Sequence, residues 1–351
     1  MDLGIYYIDL VAARAFLTQP VHEVIFQIYA TVGWFILVFL LLHAGILFYE
    51  KYRQHGYMHN WKWVLLAIDI PALNVQTPKA VEQMFAHLAG ALNVPNIGET
   101  FHQGFKQRWF SFEIISIEGY IQFLVYTEEK FRDLVEGAVY AQYPEAEVIE
   151  VEDYVGTAPD TYPNDEYDIW AADFTLTEDY SFPIRTYREF EHSISKDTVL
   201  KDPMGTFLES FSRIGQGEQM WFQLLVEPTP SNTWKNHVIA QVKKMIGEKA
   251  AHGKTRVVDV VADAPVKILE AAGDAVFARE AGETHAKAEE PKNQLKFLTP
   301  GQKIIVEAME LKMAKVGFKT KMRGIYLARK EVFRPERGVN ALVGAIQQFN
   351  I

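Results

Sequence analysis

The hydrophobic pattern is dominated by one uninterrupted run near the N-terminus. Residues 24–49 read VIFQIYATVGWFILVFLLLHAGILFY and contain no Asp, Glu, Lys or Arg. A helix over these 26 positions is about 39 Å long, whereas the hydrocarbon core of a bilayer is about 30 Å thick. A cleavable signal segment is shorter and follows a basic region, but Arg14 is the sole base before this run. The pattern therefore predicts a transmembrane helix over 24–49 and a short extracytoplasmic or interfacial segment over 1–23.

The residues that flank the run predict its orientation. Lys51, Arg53 and Lys62 follow it, and basic residues are retained on the cytoplasmic side of a membrane. Aromatic residues, which favour the lipid–water interface, also follow the run or close it: Tyr49, Tyr52, Tyr57, Trp61 and Trp63. We therefore expect a single-pass protein of the cytoplasmic (inner) cell membrane, with its N-terminus outside and its body in the cytoplasm.

After the anchor the pattern changes to alternating strands and helices. Strands are predicted over 63–70, 109–116, 120–127 and 146–153, with helices over 78–92 and 128–144. Thr77, followed by a proline, predicts the start of the first helix, and Glu118-Gly119 predicts a tight turn between two strands. The order β-α-β-β-α-β predicts a ferredoxin-like α+β domain over 58–155.

A second α+β domain is predicted over 160–247 plus 296–351. The turn formers of residues 156–165, GTAPDTYPND, mark its boundary with the first domain. Asp202 and Thr299, each followed by a proline, predict helix starts within it. Residues 248–295 are rich in Ala, Glu and Lys and predict a flexible, partly helical insert. The expected fold class is α+β: one transmembrane helix followed by two α/β-sandwich domains.

Charge is distributed unevenly along the chain. Residues 145–191 carry 14 acidic and 2 basic residues, a net charge of −12, whereas residues 296–337 carry 11 basic and 4 acidic residues, a net charge of +7. These stretches could attract each other within one chain or between copies, which makes a homo-oligomer an expectation. A solvated basic face is the simpler interpretation of 296–337, and contact with DNA or anionic lipid is the alternative.

The sequence contains no recognised catalytic motif. It has no GxxxxGK[ST], HExxH, GxSxG or GxGxxG string and no cysteine among its 351 residues. His55 and His59, four residues apart, are the best candidate metal pair, but an interfacial position is the simpler account, and His43 in the membrane run is expected to pack. We predict a non-enzymatic chain with no catalytic, cofactor-binding or metal-binding residue. The alternative is a membrane-bound hydrolase with an unrecognised carboxylate site, for which Glu150, Glu152 and Asp153 are candidates.

Several strings together resemble a known family. They are LLAIDIPALNVQTPKAVEQMFAHLAGAL, WFSFEIISIEGYIQFLV, VYAQYPEAEVIEVEDY, KDPMGTFLESFSRIGQGEQMWFQLLVEP and KMAKVGFKTKMRGIYLARK. In this order they resemble the membrane-anchored N-terminal region associated with bacterial type IV secretion and conjugation ATPases of the VirB4/TraG/HerA-like kind. The residues that contribute most to the resemblance are Tyr143, Pro144, Asp153, Tyr154, Gly217, Glu218, Gln219, Trp221, Gln223 and Pro228.

The resemblance implies a non-catalytic, cytoplasm-facing platform that works with a hexameric translocating ATPase. The chain lacks the motor domain of the full ATPases, so the ATPase is either a separate chain or a downstream part of a longer one. The matching strings are strand edges and turns, and no catalytic residue can be carried over from the family. The expected partners are therefore the lipid bilayer, further copies of the chain and a P-loop ATPase.

Overall fold

The structure, a computed structural model, describes residues 20–71, 76–190, 203–246 and 298–350. Three parts of the sequence predictions lie outside the described residues: the segment 1–19, the predicted N-cap Asp202 and the predicted insert 248–295. The chain forms two compact units, of which the first comprises Met1–Lys62 and Asn93–Gln107 and the second comprises Trp63–Leu92 and Arg108–Ile351.

The first unit contains a helix that is long and apolar enough to cross a membrane. Helix α1 (Val21–Ile28) leads through a π-helical turn (Tyr29–Gly33) into helix α2 (Trp34–His59). Among the described residues, α2 is the one helix that is long and apolar enough to cross a membrane, and none of its 26 residues is buried. The helix continues past the uncharged run to His59, so Tyr52 and Tyr57 of the aromatic group lie on the helix and not beyond it.

The second unit is built on one antiparallel sheet of seven strands. The strands are β1 (Trp63–Asp69), β2 (Phe110–Ile117), β3 (Tyr120–Glu128), β4 (Glu147–Val151), β5 (Tyr167–Phe174), β6 (Glu218–Thr229) and β7 (Gly317–Arg329). Their order in the sheet is β4-β1-β3-β2-β6-β7-β5. Strands β2 and β6 pair from Phe110–Val226 to Ile117–Gln219. The strands that the sequence assigns to two domains therefore share one sheet.

Four helices pack on one face of this sheet. They are α3 (Pro78–Leu88), α4 (Arg132–Gln142), α5 (Pro203–Ser212) and α8 (Pro335–Gln347). Period-2 alternation sends Leu66, Phe110 and Val125 toward α3 and α4, and sends Met220 and Tyr326 toward α5 and α8. We call this side of the sheet the helical face. Helices α6 (Ser231–Met245) and α7 (Pro300–Met313) form a separate cluster around Val238 and Met309.

The opposite side of the sheet, here called the Glu113 face, is covered in part by an irregular segment. Its core includes Leu65, Ile115, Leu124, Trp221 and Leu327, all buried. Tyr154, Ala158 and Tyr162, from the stretch that follows β4, pack against this core. Residues 156–165, which the sequence marks as a domain boundary, thus contribute apolar cover to the sheet.

Local sequence signals position the turns and helix starts of this unit. Glu118 and Gly119 have φ of 55° and 90°, as a two-residue hairpin turn with the twist of its strands requires, and the predicted turn is confirmed. The Thr299 hydroxyl accepts a hydrogen bond from the Gln302 backbone N–H and forms a capping box at the start of α7. Thr77 is the N-cap of α3, but its side chain makes no capping hydrogen bond.

Candidate functional site

One carboxylate interrupts a mostly apolar strand at the centre of the sheet. Glu113 lies in the middle of β2, and strand alternation places it beside Ser111 and Ile115 on the Glu113 face. Its exposed fraction is 7 %. A buried carboxylate is costly unless it accepts hydrogen bonds, so its partners define the chemistry of this position.

Both oxygens of Glu113 accept hydrogen bonds. Ser111 Oγ donates to Oε1 over 2.6 Å, and the Tyr154 hydroxyl donates to Oε2 over 2.7 Å. Gln223 Nε2, from β6, donates to the Tyr154 hydroxyl over 2.9 Å and lies 3.4 Å from Oε1 of Glu113. The network therefore connects β2, β6 and the segment after β4, and it includes the junction between the two halves of the sheet.

Burial dominates the electrostatics of this network. It raises the pKa of Glu113 above its ordinary value of 4.5, against the lowering effect of the hydrogen bonds from Ser111, Tyr154 and Gln223. Burial also raises the pKa of the Tyr154 hydroxyl, and the neighbouring Glu113 raises it further. The Tyr154 ring packs edge-on to Trp221 at 4.9 Å between centroids. Such a carboxyl group can hold or release a proton above the usual pH range of glutamate.

Replacing Glu113 with Gln is expected to flatten the pH dependence of stability. Because the folded-state pKa of Glu113 is raised from 4.5, its proton stabilises the fold fully below that pH, and the stabilisation is lost as pH rises through the raised pKa. An increase of one pKa unit in the folded state corresponds to about 1.4 kcal/mol of folding free energy. Urea unfolding of the detergent-solubilised chain from acidic to neutral pH measures the slope. Glu147→Gln, at an exposed position of β4, is the matched control, and parallel curves for E113Q and the wild type would contradict the expectation.

A second buried carboxylate lies on the helical face. Glu218, at the start of β6, accepts hydrogen bonds from the Tyr326 hydroxyl over 2.6 Å and from the Gly215 backbone N–H over 2.7 Å. The Tyr326 hydroxyl accepts the Arg334 backbone N–H over 3.1 Å, and Arg337 lies 3.5 Å from Glu218. Burial, followed by the hydrogen bond to Glu218, raises the pKa of Tyr326 to about 12. These contacts fasten β6, β7 and the start of α8 to each other.

The acidic and basic stretches meet within one chain. Strand β5, from 145–191, pairs along its length with β7, from 296–337. Asp173 lies 2.9 Å from Lys321 and 3.1 Å from Arg323, and hydrogen bonds from Lys321 and then Arg323 hold the pKa of its carboxyl below the ordinary value. Lys319 lies 3.4 Å from Glu227 of β6. Part of the charge asymmetry is thus neutralised inside the sheet.

The carboxylates proposed from sequence have different partners. Glu150 binds Arg132 of α4 at 2.7 Å. Asp153 accepts the Val155 backbone N–H over 2.9 Å and caps the short turn that carries Tyr154. Neither carboxylate is hydrogen-bonded to the other, and Glu152 is exposed.

The histidines proposed from sequence all lie on α2. His55 and His59 are exposed near its end, and the ring of His43 stacks on Phe39 with centroids 6.4 Å apart. Across the described part of the chain, no group of three His, Asp or Glu side chains is placed to hold a metal ion.

Sequence reasoning missed the Glu113 network. The string WFSFEIIS is predicted only as a strand, yet it contains one charged residue among mostly apolar ones, and that charge is the available signal. A lone carboxylate in a buried strand needs partners from other elements, because its own strand supplies few donors. Tyr154 and Gln223 come from positions 41 and 110 residues away along the chain, which no local pattern reveals.

The residues that carry the resemblance come together only in part. Tyr154, Gln219, Trp221 and Gln223 lie on the Glu113 face, where Trp221 Nε1 donates to Gln219 Oε1 over 3.1 Å. Glu218 lies on the helical face with Tyr326. Their observed contacts are hydrogen bonds and ring packing that hold strands and turns together. No protein-family model, no curated protein and no solved structure matches this chain.

Proposed function

We propose that this chain is a non-enzymatic, single-pass membrane protein that serves as an assembly or docking platform of a bacterial translocation machine of the type IV secretion or conjugation kind. Its partner is a P-loop ATPase, either a separate chain or a downstream part of the same one. The observation that carries the proposal is helix α2, which is long and apolar enough to cross a membrane, contains no buried residue and precedes an extensive α+β body.

The strand order and the domain division of the body support the role of a platform. The first four strands have the connection order β-α-β-β-α-β and the sheet order β4-β1-β3-β2, which favours a ferredoxin-like description of 58–155. Residues 160–247 and 296–351 then form the second domain of the platform, with β6 paired to β2. The extended sheet offers a rigid support on which an ATPase can dock.

The proposed topology places the N-terminus outside and the body in the cytoplasm. Because the chain has no cysteine, single cysteines introduced by Thr18→Cys and Asp160→Cys give labelling without background. In spheroplasts, a membrane-impermeant maleimide is expected to label the Thr18→Cys variant directly and the Asp160→Cys variant only after lysis. The opposite pattern would overturn the orientation.

The partner is tested by recovery from membranes. The full chain, solubilised in mild detergent and affinity-purified after cross-linking, is expected to bring down a P-loop ATPase and further copies of itself. A sheet-face variant such as Trp221→Ala serves as a comparison, since it perturbs a residue of the resemblance that is 5 % exposed. A chain that stays monomeric and recovers no ATPase would refute the platform.

The basic region 296–337 could add DNA or anionic lipid to these partners. Lys319 and Lys321 are exposed on β7, and their contacts with Glu227 and Asp173 are single ion pairs. Exposed ion pairs contribute about 0–1 kcal/mol and are easily exchanged for phosphate contacts. Binding that weakens steeply with salt and is lost in the Lys319→Glu, Lys321→Glu variant is the expected signature.

The hydrolase alternative is favoured by one observation, the raised pKa of buried Glu113. A protonated carboxyl group beside a tyrosine can act as a general acid. Turnover of p-nitrophenyl acetate or bis-p-nitrophenyl phosphate that is lost in E113Q and retained in Glu147→Gln would favour this alternative. Equal rates in all three chains would refute it for these substrates.

A further inference from the structure

The loop over 93–107 belongs to the same compact unit as helix α2 and is fastened to it. Arg53 Nε donates to the His102 carbonyl oxygen over 2.9 Å, and a second guanidinium nitrogen donates to the same oxygen. Gly104 has φ of 72°, and a Cβ at this position would lie 2.3 Å from the Arg53 carbonyl carbon. Only glycine fits this conformation and this close approach, so the loop backbone rests directly on α2.

The loop is ordered by further contacts of its own. The ring of Phe105, 8 % exposed, lies 5.9 Å from the ring of Tyr57 on α2. Asn96 and Glu99 exchange hydrogen bonds between side chain and backbone N–H, each over 2.8 Å. The exchange forms a capping box at the start of the helical residues 97–103 of the loop.

This ordered loop exposes its apolar side chains instead of burying them. Val94 is 70 % exposed, Ile97 is 72 % exposed and Phe101 is 42 % exposed. Ile97 and Phe101 are four residues apart in the helical turn and therefore share one side of it. Three such residues within eight positions form an apolar patch whose exposure to water is unfavourable.

The attachment point lies close to the end of the membrane run. Arg53 follows Tyr49, the last residue of that run, by four positions, which is about 6 Å along a helix. The interfacial layer on each side of the hydrocarbon core is about 5–8 Å thick. Glu99 and Lys106 are the only formal charges in 93–107. The loop is therefore fastened at the depth of the lipid headgroups and carries little charge to desolvate.

We propose that Val94, Ile97 and Phe101 insert into the headgroup–acyl boundary of the leaflet at the C-terminal end of α2, as a second membrane contact beside the helix. The inference rests on the proposed function in one respect, that α2 spans the bilayer. The occupant of the patch is lipid, because the loop that carries the patch is fastened to the helix that meets lipid. A short helical turn with one apolar side suits shallow interfacial insertion.

Depth-dependent quenching tests the insertion on the full chain. An environment-sensitive nitrobenzoxadiazole probe is attached to single cysteines introduced by Ile97→Cys, Gln103→Cys or Leu40→Cys, and each chain is reconstituted into phosphatidylcholine–phosphatidylglycerol vesicles. The vesicles contain lipids with a nitroxide either near the glycerol backbone or near the chain end. The Ile97 probe is expected to be quenched at least about twofold more strongly by the shallow nitroxide than the Gln103 probe on another side of the turn.

The three probe positions separate the possible failures. Strong quenching of the Leu40 probe by the deep nitroxide, with no quenching at Ile97, would overturn the insertion of the loop and leave the anchor intact. Absence of quenching at Leu40 would refute the membrane anchor itself. Equal quenching at Ile97 and Gln103 would also overturn the proposal, because it would show proximity of the whole loop without insertion of its apolar side.

Discussion

Two arginines in the middle of the uncharged run 24–49 are expected to prevent the stable membrane insertion of helix α2. Ile36 and Leu40 lie four residues apart, are 58 % and 51 % exposed, and lie within the uncharged run. Each arginine at the centre of a membrane helix costs about 2.5–3.5 kcal/mol, so the pair costs about 5–7 kcal/mol. The Ile36→Arg, Leu40→Arg chain should leave the membrane pellet on alkaline carbonate extraction, whereas the wild type should remain in it.

The control places the same charges outside the run. Gln54→Arg and His59→Arg lie on the last turns of α2, where Lys51 and Arg53 already occur, and this chain should remain in the pellet. If the centrally substituted chain is retained as well as the control, α2 is not held by its apolar surface. The anchor would then have to be sought outside the described residues.

Removing the ring of Phe110 is expected to produce the largest loss of stability from a single core side chain. Phe110 is 0 % exposed, packs edge-on to Phe131 with centroids 5.9 Å apart, and pairs with Val226 across the β2–β6 junction. Truncation of a buried phenylalanine to alanine costs about 3–5 kcal/mol, through lost burial and the cavity that remains. Urea unfolding of the detergent-solubilised chain, followed by circular dichroism, measures the change.

Phe123→Ala is the matched control, since Phe123 lies in the neighbouring strand β3 and is 42 % exposed. Its loss of stability should be much smaller, and equal losses would contradict the packing described for Phe110.

The number of unfolding transitions carries further information. If the sheet unfolds as one unit, Phe110→Ala shifts a single transition, whereas two independent domains would give two transitions of which only one moves.

Sequence periodicity was sufficient to locate the elements of the body. The runs predicted over 63–70, 109–116, 120–127 and 146–153 became strands β1 to β4, and Glu118-Gly119 and Thr299 fixed a hairpin turn and a helix start, because each signal acts through residues close in sequence. The transmembrane helix predicted over 24–49 is interrupted by a π-helical turn at Tyr29–Gly33 and continues to His59, since the polar residues after Tyr49 do not stop a helix once it has formed.

Contacts between distant segments could not be predicted. The β2–β6 pairing joins residues more than 100 positions apart, and neither strand carries a local signal that shows which neighbour it prefers. Gly and Pro in residues 156–165 correctly indicated irregular backbone, but the apolar rings of Tyr154 and Tyr162, which attach this segment to the sheet, gave no local signal. Of the two oxygens of Glu113, Oε2 accepts a hydrogen bond from the distant Tyr154, whereas Oε1 accepts one from Ser111, two positions away in the same strand.

The position of β1 in the sheet has a mechanical consequence. Trp63, the first residue of β1, follows His59 of α2 by only four positions, so a force applied to the anchor enters the body through this strand. Strand β1 is not at the edge of the sheet, because it pairs with β3 over Trp63–Ile68 and with β4 over Leu65–Asp69. Extraction of β1 must break backbone hydrogen bonds on both sides, so the sheet resists a pulling force that is applied through the N-terminal helix.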